Sequence, residues 1–536
     1  MKRIFSLLLT AALAVGAAAQ QTAQVAVFCI NDFHCGLIHD TERDVPGAAW
    51  VVECLDSLKQ VYPNHLTVAA GDNFGGSFFY TATQEKSLIP QFMRDAGIDI
   101  SVPGNHAFDV GQEHFADRWQ STVFCPRDWK MRYVCANMRK DPSTGSGQVP
   151  AIPDYCEPWI VEKVDLKEGG SVNVAFTGLM TSNTPNQASA SRIKGLSFDG
   201  NYGACLDSIK RLPGYEAVEK ANVRLLLTHI STYMKNGIPA FDDPNVDELY
   251  AFDRPDIDGI FTAHSHNLVC GTIECARPYP VAQGAWHGQY IAVMLCDIDL
   301  ATGRCVKVTP KVVRVNPNAT LSPKAARLEA QVQEQYQTTT FRGLPLSTVL
   351  TRCRETIAHD RTMKFEDKPM GRLVTSAYAE AYRQNCPDRS LPLVVGVSHI
   401  GGIRAGFIKG NITILDVGEV LPFANNLRAY SIDGKLMKQL MEFGYNGCRL
   451  GRIQTSGVEV QLDKKGHVKR LFCASPRGER MEIKDDTPLV IVADDFMSTG
   501  GDGYSTDFFP EAQRLPLQLP TITDAFIHYL KSQPEI

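Results

Sequence analysis

Five apolar runs in this 536-residue chain end on side chains that bind metal ions or carry protons. VFCINDFH delivers Asp32 and His34, LTVAAGDNFGG delivers Asp72, and ISVPGNHAFD delivers Asn105, His106 and Asp109. VRLLLTHIS then delivers His229, and IDGIFTAHSH delivers His264 and His266. Asp32 and His34 stand two apart at a strand end, so their side chains leave the same face and can converge on one ion. Taken alone, a D-x-H is more often structural, because both residues are common at strand exits and in turns. Repetition at five strand ends changes that reading, since open α/β sheets place their sites along one such edge.

The donor types select the chemistry. Imidazole and carboxylate with one amide oxygen suit Zn²⁺ or Mn²⁺, and the number of donors exceeds what one tetrahedral ion takes. Two divalent cations sharing one carboxylate fit the set. Against two carboxylates they leave about two positive charges, enough to hold a phosphate dianion and lower the pKa of a water attacking in line. The reaction implied is hydrolysis of a phosphoryl group.

Such residues need a sheet with covered faces to hold them. From Ala23 to about Val315 strand-like runs alternate with helix-like ones: AQVAVFCI, AAWVVECLDSLKQV, HLTVAA, EKSLIPQFMRDAG and ISVPG. That alternation predicts a layered α/β domain. WIVEKVDL and VNVAFTGLM around KEGG, and QYIAVMLCDIDLATGRCVKVTPKVVRV around ATGR, predict hairpins, so the sheets should mix parallel and antiparallel strands. SPKAARLEAQVQEQYQ predicts a linker helix capped by Ser322. Beyond it, GRLVTSAYAEAYRQ reads as a helix, LPLVVGVSHI as a strand, and VIVADDFMSTGGDGY as a strand entering a glycine-rich loop. A second α/β domain is therefore expected from about residue 341.

Bulk composition narrows the partners. The net charge of -5 provides no basic field, which argues against nucleic acid. MKRIFSLLLTAALAVGAAAQQ, with Lys2 and Arg3 before an apolar stretch and Ala17 and Ala19 in an A-x-A pattern, reads as a signal peptide over residues 1–19. Neither a lipid-accepting cysteine after that stretch, nor a later run long enough to span a bilayer, nor a tail apolar enough for a lipid-anchor signal is seen. The expectation is an exported, periplasmic or secreted protein. Fifteen cysteines is an odd number, so at least one is unpaired or paired between chains. Cys270 and Cys275 could close a small disulfide loop, while Cys29 and Cys296 read as buried thiols.

NDFH, GDNFGG, GNHAFD, LLTH and AHSH, in that order, resemble the five motifs of the calcineurin-like metallophosphoesterases, in the 5'-nucleotidase and UDP-sugar hydrolase family. The resemblance implies a four-layer α/β/β/α metallophosphoesterase domain over 23–316, a linker helix over 317–340, and an α/β substrate-binding domain over 341–536. It implies one metal held by Asp32, His34, Asp72 and His266 and a second by Asp72, Asn105, His229 and His264, with Asp72 bridging. His106 would stabilise charge on the phosphoryl or leaving oxygen, oriented by Asp109. Chemically this is sensible, because an imidazolium beside the metals is a preorganised donor. The chain has Ala263 where the family often has Gly, and His266 where other members carry Gln or Asn. His287 matches no ligand position and reads as structural; His39 and His114 read as surface or packing residues.

The second half resembles the C-terminal domain of 5'-nucleotidases. Singly, its LPF and DDF could be core aromatics and its GGIR a tight turn, as in a packing or adhesion module. By resemblance, Phe423 and Phe496 sandwich the nucleobase, Asp502 accepts from ribose hydroxyls, Asn425 contacts the base, and Arg404 binds phosphate, with Arg361 a second phosphate candidate. Lys364 replaces an Arg of relatives, a point charge for a bidentate fork. His399 lies near where some relatives carry a small polar residue or Asn. The reading that results is a phosphohydrolase acting on nucleoside 5'-monophosphates, extending to di- and triphosphates or UDP-sugars. The alternative enzymes are a 2',3'-cyclic-nucleotide 2'-phosphodiesterase/3'-nucleotidase and a nucleotide-sugar pyrophosphatase. A non-catalytic nucleotide-binding or adhesion protein should have lost metal ligands, and none of the seven is missing.

Overall fold

The computed structural model describes residues 22–83, 86–112, 129–140, 151–243, 254–274, 277–360, 363–386, 393–474 and 479–536. The strand Thr22–Ile30 shows how its sequence builds layers. Successive side chains point to opposite faces, so Ala26, Phe28 and Ile30 pack on one side while Val25, Val27 and Cys29 pack on the other. On the first side lies the helix Ala48–Val61, which buries Ala48, Ala49, Val51, Val52 and Leu55. The second side meets Val174, Phe176, Leu225 and Leu227 of another sheet. That sheet's outer face, with Ala175 and Leu226, is covered by Tyr202, Leu206 and Ile209 of the helix Tyr202–Ile209. The order is helix, sheet, sheet, helix. Each fully buried Leu or Phe between the layers contributes roughly 1.5–3 kcal/mol.

The first sheet runs Arg304–Arg314, Tyr290–Asp299, Thr22–Ile30, His65–Ala69, Ile100–Ser101, Arg132–Val134, Cys156–Glu157. Its first two pairings are antiparallel and the rest parallel. The second runs Leu268–Ile273, Tyr279–Gly284, Gly259–Phe261, Val223–His229, Ser171–Met180, Trp159–Asp165, with antiparallel edges around a parallel centre. Both expected hairpins are present. The helix expected over EKSLIPQFMRDAG is confined to Ile89–Ala96. Pro90 lies in its first turn, where a missing N–H costs nothing, and Gly97 ends it in a left-handed conformation.

Ser322 caps the helix Pro323–Thr338, accepting from the Ala325 N–H at 3.4 Å. This helix is docked on the first domain. Ser322 N–H donates to Glu53 at 2.7 Å, Lys324 pairs with Asp56 at 2.6 Å, and Ala325, Leu328 and Val332 are buried. The second domain centres on the sheet Leu427–Asp433, Pro488–Asp494, Val394–Ser398, Gln454–Ser456. Helices Pro369–Asn385 and Gly434–Glu442 cover its two faces. The domains meet where the helix Phe78–Thr83 lies against Ile414–Val420. A Cβ on Gly418 would fall 2.0 Å from the Phe78 ring, so only glycine allows this approach. Thr81 Oγ donates to the Pro422 carbonyl at 3.0 Å, and Arg43 pairs with Asp416 at 2.5 Å.

Among the described residues no helix is long and apolar enough to cross a membrane. Cys29 and Cys296 are buried thiols. Residues 1–21, His114, Arg361 and Cys275 lie outside the described residues, and with them the signal peptide and the Cys270–Cys275 pairing.

Candidate metal centre

The strand ends turn sharply. Asp32, His34, Asp72, His264 and His266 all have φ in the left-handed region, at 47°, 45°, 48°, 73° and 60°. An L-residue held there costs roughly 1–2 kcal/mol, and such strain collects where a site requires it. These are five of twelve such non-glycine residues among those described, so the strain is concentrated on the expected ligands.

Backbone contacts then aim the rings. His34 Nδ1 lies 3.0 Å from the Gly75 carbonyl and His229 Nδ1 2.8 Å from that of Ala70. Each therefore donates from Nδ1 and turns its Nε2 toward the centre. His229 Nε2 is 3.0 Å from Asp72, and His34 Nε2 is 3.8 Å from Asp32 and 3.9 Å from Asp72. His266 Nε2 approaches His34 Nε2 to 3.1 Å and Asp32 to 3.5 Å. His264 Nδ1 faces His229 Nε2 at 3.3 Å. Asp32, His34 and His266 group their donor atoms within 4.8 Å, and so do Asp72, His229 and His264.

The residues fit a pair of cations. Asn105 Oδ1 is buried with no hydrogen-bond partner, an amide oxygen left for something else to bind. Ring nitrogens directed at one another at 3.1 and 3.3 Å beside two buried carboxylates are the donor set of a metal site. Without a cation, burial pushes the Asp32 carboxyl up to about 6, with His229 opposing and Asp72 adding. Burial works against charge on His229, but Asp72 and Asp32 overcome it and raise the imidazole to about 9. Burial, then the charge of His229, lowers His264 to about 3. The cluster thus holds a proton on His229 that a metal must displace.

His106 stands at the edge. Its Nδ1 is 2.9 Å from Asp109 Oδ2, and that oxygen also accepts from Gly76 N–H at 2.8 Å. The pairing is the one expected. His34, Asp72 and His106 also bring donor atoms within 4.8 Å, so His106 is within reach of the same donor cluster. Across the interface, the Phe423 ring lies parallel to the His106 ring, with centroids 5.7 Å apart and planes 7° from parallel. Arg404 lies 5.9 Å from the Phe423 centroid. Burial lowers its guanidinium, against the charges of Asp72, Asp109 and Asp32 on the metal side and Asp502 on the other. With His34 of the first domain it lines one cavity.

The remaining candidates divide. Phe496 lies 4.9 Å from His399, and His399 Nδ1 is 2.6 Å from Asp502. Phe423 and Phe496 therefore each meet a histidine in this domain arrangement. Asn425 is half-buried, and its carbonyl accepts from Ile522 N–H at the start of the last helix. Lys364 sets its ammonium 5.6 Å over the ring of Phe365 in its own loop. His39 is a packing residue, bonded to the Pro46 carbonyl at 2.9 Å and against Trp50.

Several contributors carried no sequence signal of their own. Asn31 donates to Asp32 Oδ2 at 2.8 Å and accepts from Gly284 N–H at 2.7 Å, which locks the Asp32 rotamer; its place inside NDFH was the available hint. Gln187 meets His264 Nε2 at 2.9 Å from the end of the short helix Thr184–Gln187, 77 residues away. His287, expected to be structural, donates its N–H to the Asp32 carbonyl at 2.9 Å. Its ring stacks on Trp286 and helps line a cavity of about 50 Å³ with His34, Arg43, Arg404 and Glu419.

Comparison with known proteins agrees with this geometry. Residues 25–268 match the calcineurin-like phosphoesterase family model, and residues 348–508 match that of the 5'-nucleotidase C-terminal domain. The chain belongs to the 5'-nucleotidase family of metallophosphoesterases. Members of this family hydrolyse phosphoric esters. The chain is similar to the trifunctional nucleotide phosphoesterase protein YfkN of Bacillus subtilis (strain 168), at 25% identity over 88% of this chain and 32% of that protein. It spans about a third of that longer relative. It is likewise similar to an apyrase of Tabanus yao, at 25% identity over 89% of this chain and 85% of the apyrase. In fold it resembles the 5'-nucleotidase precursor of Thermus thermophilus, with a TM-score of 0.73, 21% identity, and 96% and 97% of the two chains covered.

Proposed function

We propose that the protein is an exported phosphohydrolase that releases phosphate from nucleoside 5'-monophosphates with two divalent cations, Zn²⁺ or Mn²⁺. The observation that carries this reading is Arg404, a second-domain guanidinium that lines one cavity with His34 of the first domain and lies beside Phe423, whose ring faces that of His106. A phosphoryl group held there lies between metal donors and a nucleoside pocket.

Asp32, His34, Asp72 and His266 would hold one cation, and Asp72, Asn105, His229 and His264 the other. Bound there, the cations supply Lewis-acid polarisation of the phosphoryl oxygens and an acidified attacking water. Arg404 fixes the non-reacting phosphoryl oxygens. Asp109 accepts from His106 Nδ1–H, which leaves His106 Nε2 to donate to the developing charge. Phe423 and Phe496 offer ring faces to the base, a sequence-tolerant contact suited to several nucleotides, and Asp502 accepts from the ribose. Nucleoside di- and triphosphates and UDP-sugars belong to the same proposed range, because each joins a nucleoside that the two rings can hold to a phosphoryl chain that the cations can polarise. Export rests on the leader-like composition of residues 1–19.

A panel of 5'-AMP, 3'-AMP, 2',3'-cyclic AMP, ADP and UDP-glucose, each with Zn²⁺, Mn²⁺, Co²⁺ or Mg²⁺, tests the reading. Phosphate release fastest from 5'-AMP and abolished by chelation is expected. Undiminished release in excess chelator, or preference for the 3' or cyclic nucleotide, would overturn it.

A further inference from the structure

His399 is enclosed between two carboxylates of the second domain. Its Nδ1 is 2.6 Å from Asp502 Oδ2, and its Nε2 is 3.8 Å from Asp494 Oδ2. His399, Asp494 and Asp502 are 4%, 1% and 9% exposed, and His399 Nε2 has no hydrogen-bond partner. Asp494 is already committed. Its Oδ1 accepts from Met497 N–H at 2.8 Å as the cap of the short helix Asp495–Ser498. Asp502 lies in a glycine turn with φ 52°, where its carbonyl accepts from Cys448 Sγ at 3.6 Å and its carboxylate meets His399. The fit is tight, since a Cβ on Gly401 would fall 2.7 Å from Asp502 Oδ2 and one on Gly402 2.7 Å from His399 Nε2.

The geometry points to His399 as a positioning residue that, as an imidazolium between Asp494 and Asp502, holds the Asp502 carboxylate in place to receive the sugar hydroxyls of the nucleoside. Asp502 Oδ2 is taken by His399, which leaves Oδ1 for the sugar. The role rests on the nucleotide reading above and extends it, making sugar recognition dependent on a proton that the substrate never touches.

Charge explains why the proton matters. Burial opposes the charge on His399, but Asp502 and Asp494 outweigh it and raise the imidazole above its ordinary range. Burial likewise raises the Asp494 carboxyl, against the pull of His399. The other groups facing the cluster are Arg404, which opposes the charge on His399, Asp495 beside Asp494, Tyr378 from the helix Pro369–Asn385, and Cys448 and Tyr504 against Asp502. With His399 charged, one cation offsets two buried anions. Once it loses its proton, a single N–H serves two carboxylates, their repulsion is no longer offset, and Asp502 on its glycine turn gives way. The protonated form is therefore the binding form, and affinity falls as pH rises through the raised pKa.

The test uses calorimetric titration of the metal-loaded protein with adenosine and with 2',3'-dideoxyadenosine from pH 6 to 9, together with NMR titration of His399. Adenosine affinity should fall about ten-fold across the range, the value of one charge-assisted hydrogen bond, with its midpoint at the NMR pKa. The dideoxynucleoside, lacking both hydroxyls, should show no step. Asp494→Asn keeps the cap oxygen and removes one anion, so it should move both midpoints down together. His399→Asn keeps a donor near the Nδ1 position without charge and should abolish the step. A flat adenosine profile, no adenosine binding, an equal step with the dideoxynucleoside, or midpoints unmoved in Asp494→Asn would each overturn the role. Adenosine binding with the step in a protein that does not hydrolyse 5'-AMP would strike the hydrolytic reading and leave His399 as the positioning group of a nucleoside site.

Discussion

Gly104 is where one added carbon should dismantle the metal centre. Its backbone, φ -101° and ψ 174°, is ordinary extended conformation that alanine adopts freely, so Gly104→Ala introduces no backbone strain. The added Cβ, however, would lie 1.9 Å from Asp72 Oδ1. An ordinary carbon–oxygen contact is about 3.3 Å, so the carboxylate must retreat by roughly 1.4 Å. Asp72 cannot do this and keep its partners, the His106 N–H at 3.0 Å and His229 Nε2 at 3.0 Å. As the shared ligand it would fail both proposed cations, and a misplacement of about 1 Å at a reacting centre costs on the order of a hundred-fold in rate. Metal content by mass spectrometry and kcat/KM for 5'-AMP should both fall, with at least one equivalent of metal lost. Gly203→Ala is the matched control. Its Cβ would meet nothing closer than Arg254 Nη1 at 3.6 Å, within the helix Tyr202–Ile209, and helix propensity favours Ala by up to about 1 kcal/mol. A Gly104→Ala protein with two equivalents of metal and a rate within about three-fold of the parent would refute the placement of Asp72.

Three further outcomes are expected. His106→Ala should lower kcat by about a hundred-fold or more while metal content stays at the parent value; loss of metal instead would make His106 a ligand. Metal uptake should release a proton near pH 7, because His229 is raised to about 9 before the cation arrives, and affinity should weaken as pH falls; calorimetry in buffers of different ionisation enthalpy measures this. Glu419, at the domain interface near Arg43 and 3.4 Å from Ser77 Oγ, is pushed up to about 7, mainly by burial. A carboxyl raised in the folded state binds its proton more tightly there, so stability falls as pH climbs from about 4.5 to 7. Glu419→Gln should remove that loss, about 1–2 kcal/mol after allowing for its partial exposure, and raise the thermal midpoint at pH 8 but not at pH 4.5. Equal midpoint shifts at both pH values would show that Glu419 is already ionised in the folded protein at low pH.

The sequence by itself determined the layers and the donor inventory. Period-two apolar runs ending on Asp, His and Asn can bury both faces of a strand and expose only its tip, so the strands Thr22–Ile30 and Val223–His229 and the polar side chains at their ends were legible from local pattern. The cap at Ser322 and the hairpins were legible for the same reason, since turn and cap chemistry is local. Convergence was not local. Gln187 meets His264 across 77 residues, and Asn31 fixes Asp32 through the backbone at Gly284, contacts that no spacing announces. Nor could spacing place Phe423 against His106, set Arg404 on a cavity with His34, or enclose His399 between Asp494 and Asp502. Those pairings depend on how two domains dock and how one loop folds back on a strand end. Residue type sets what a side chain can do, and only the packing of distant segments sets which charge it does it beside.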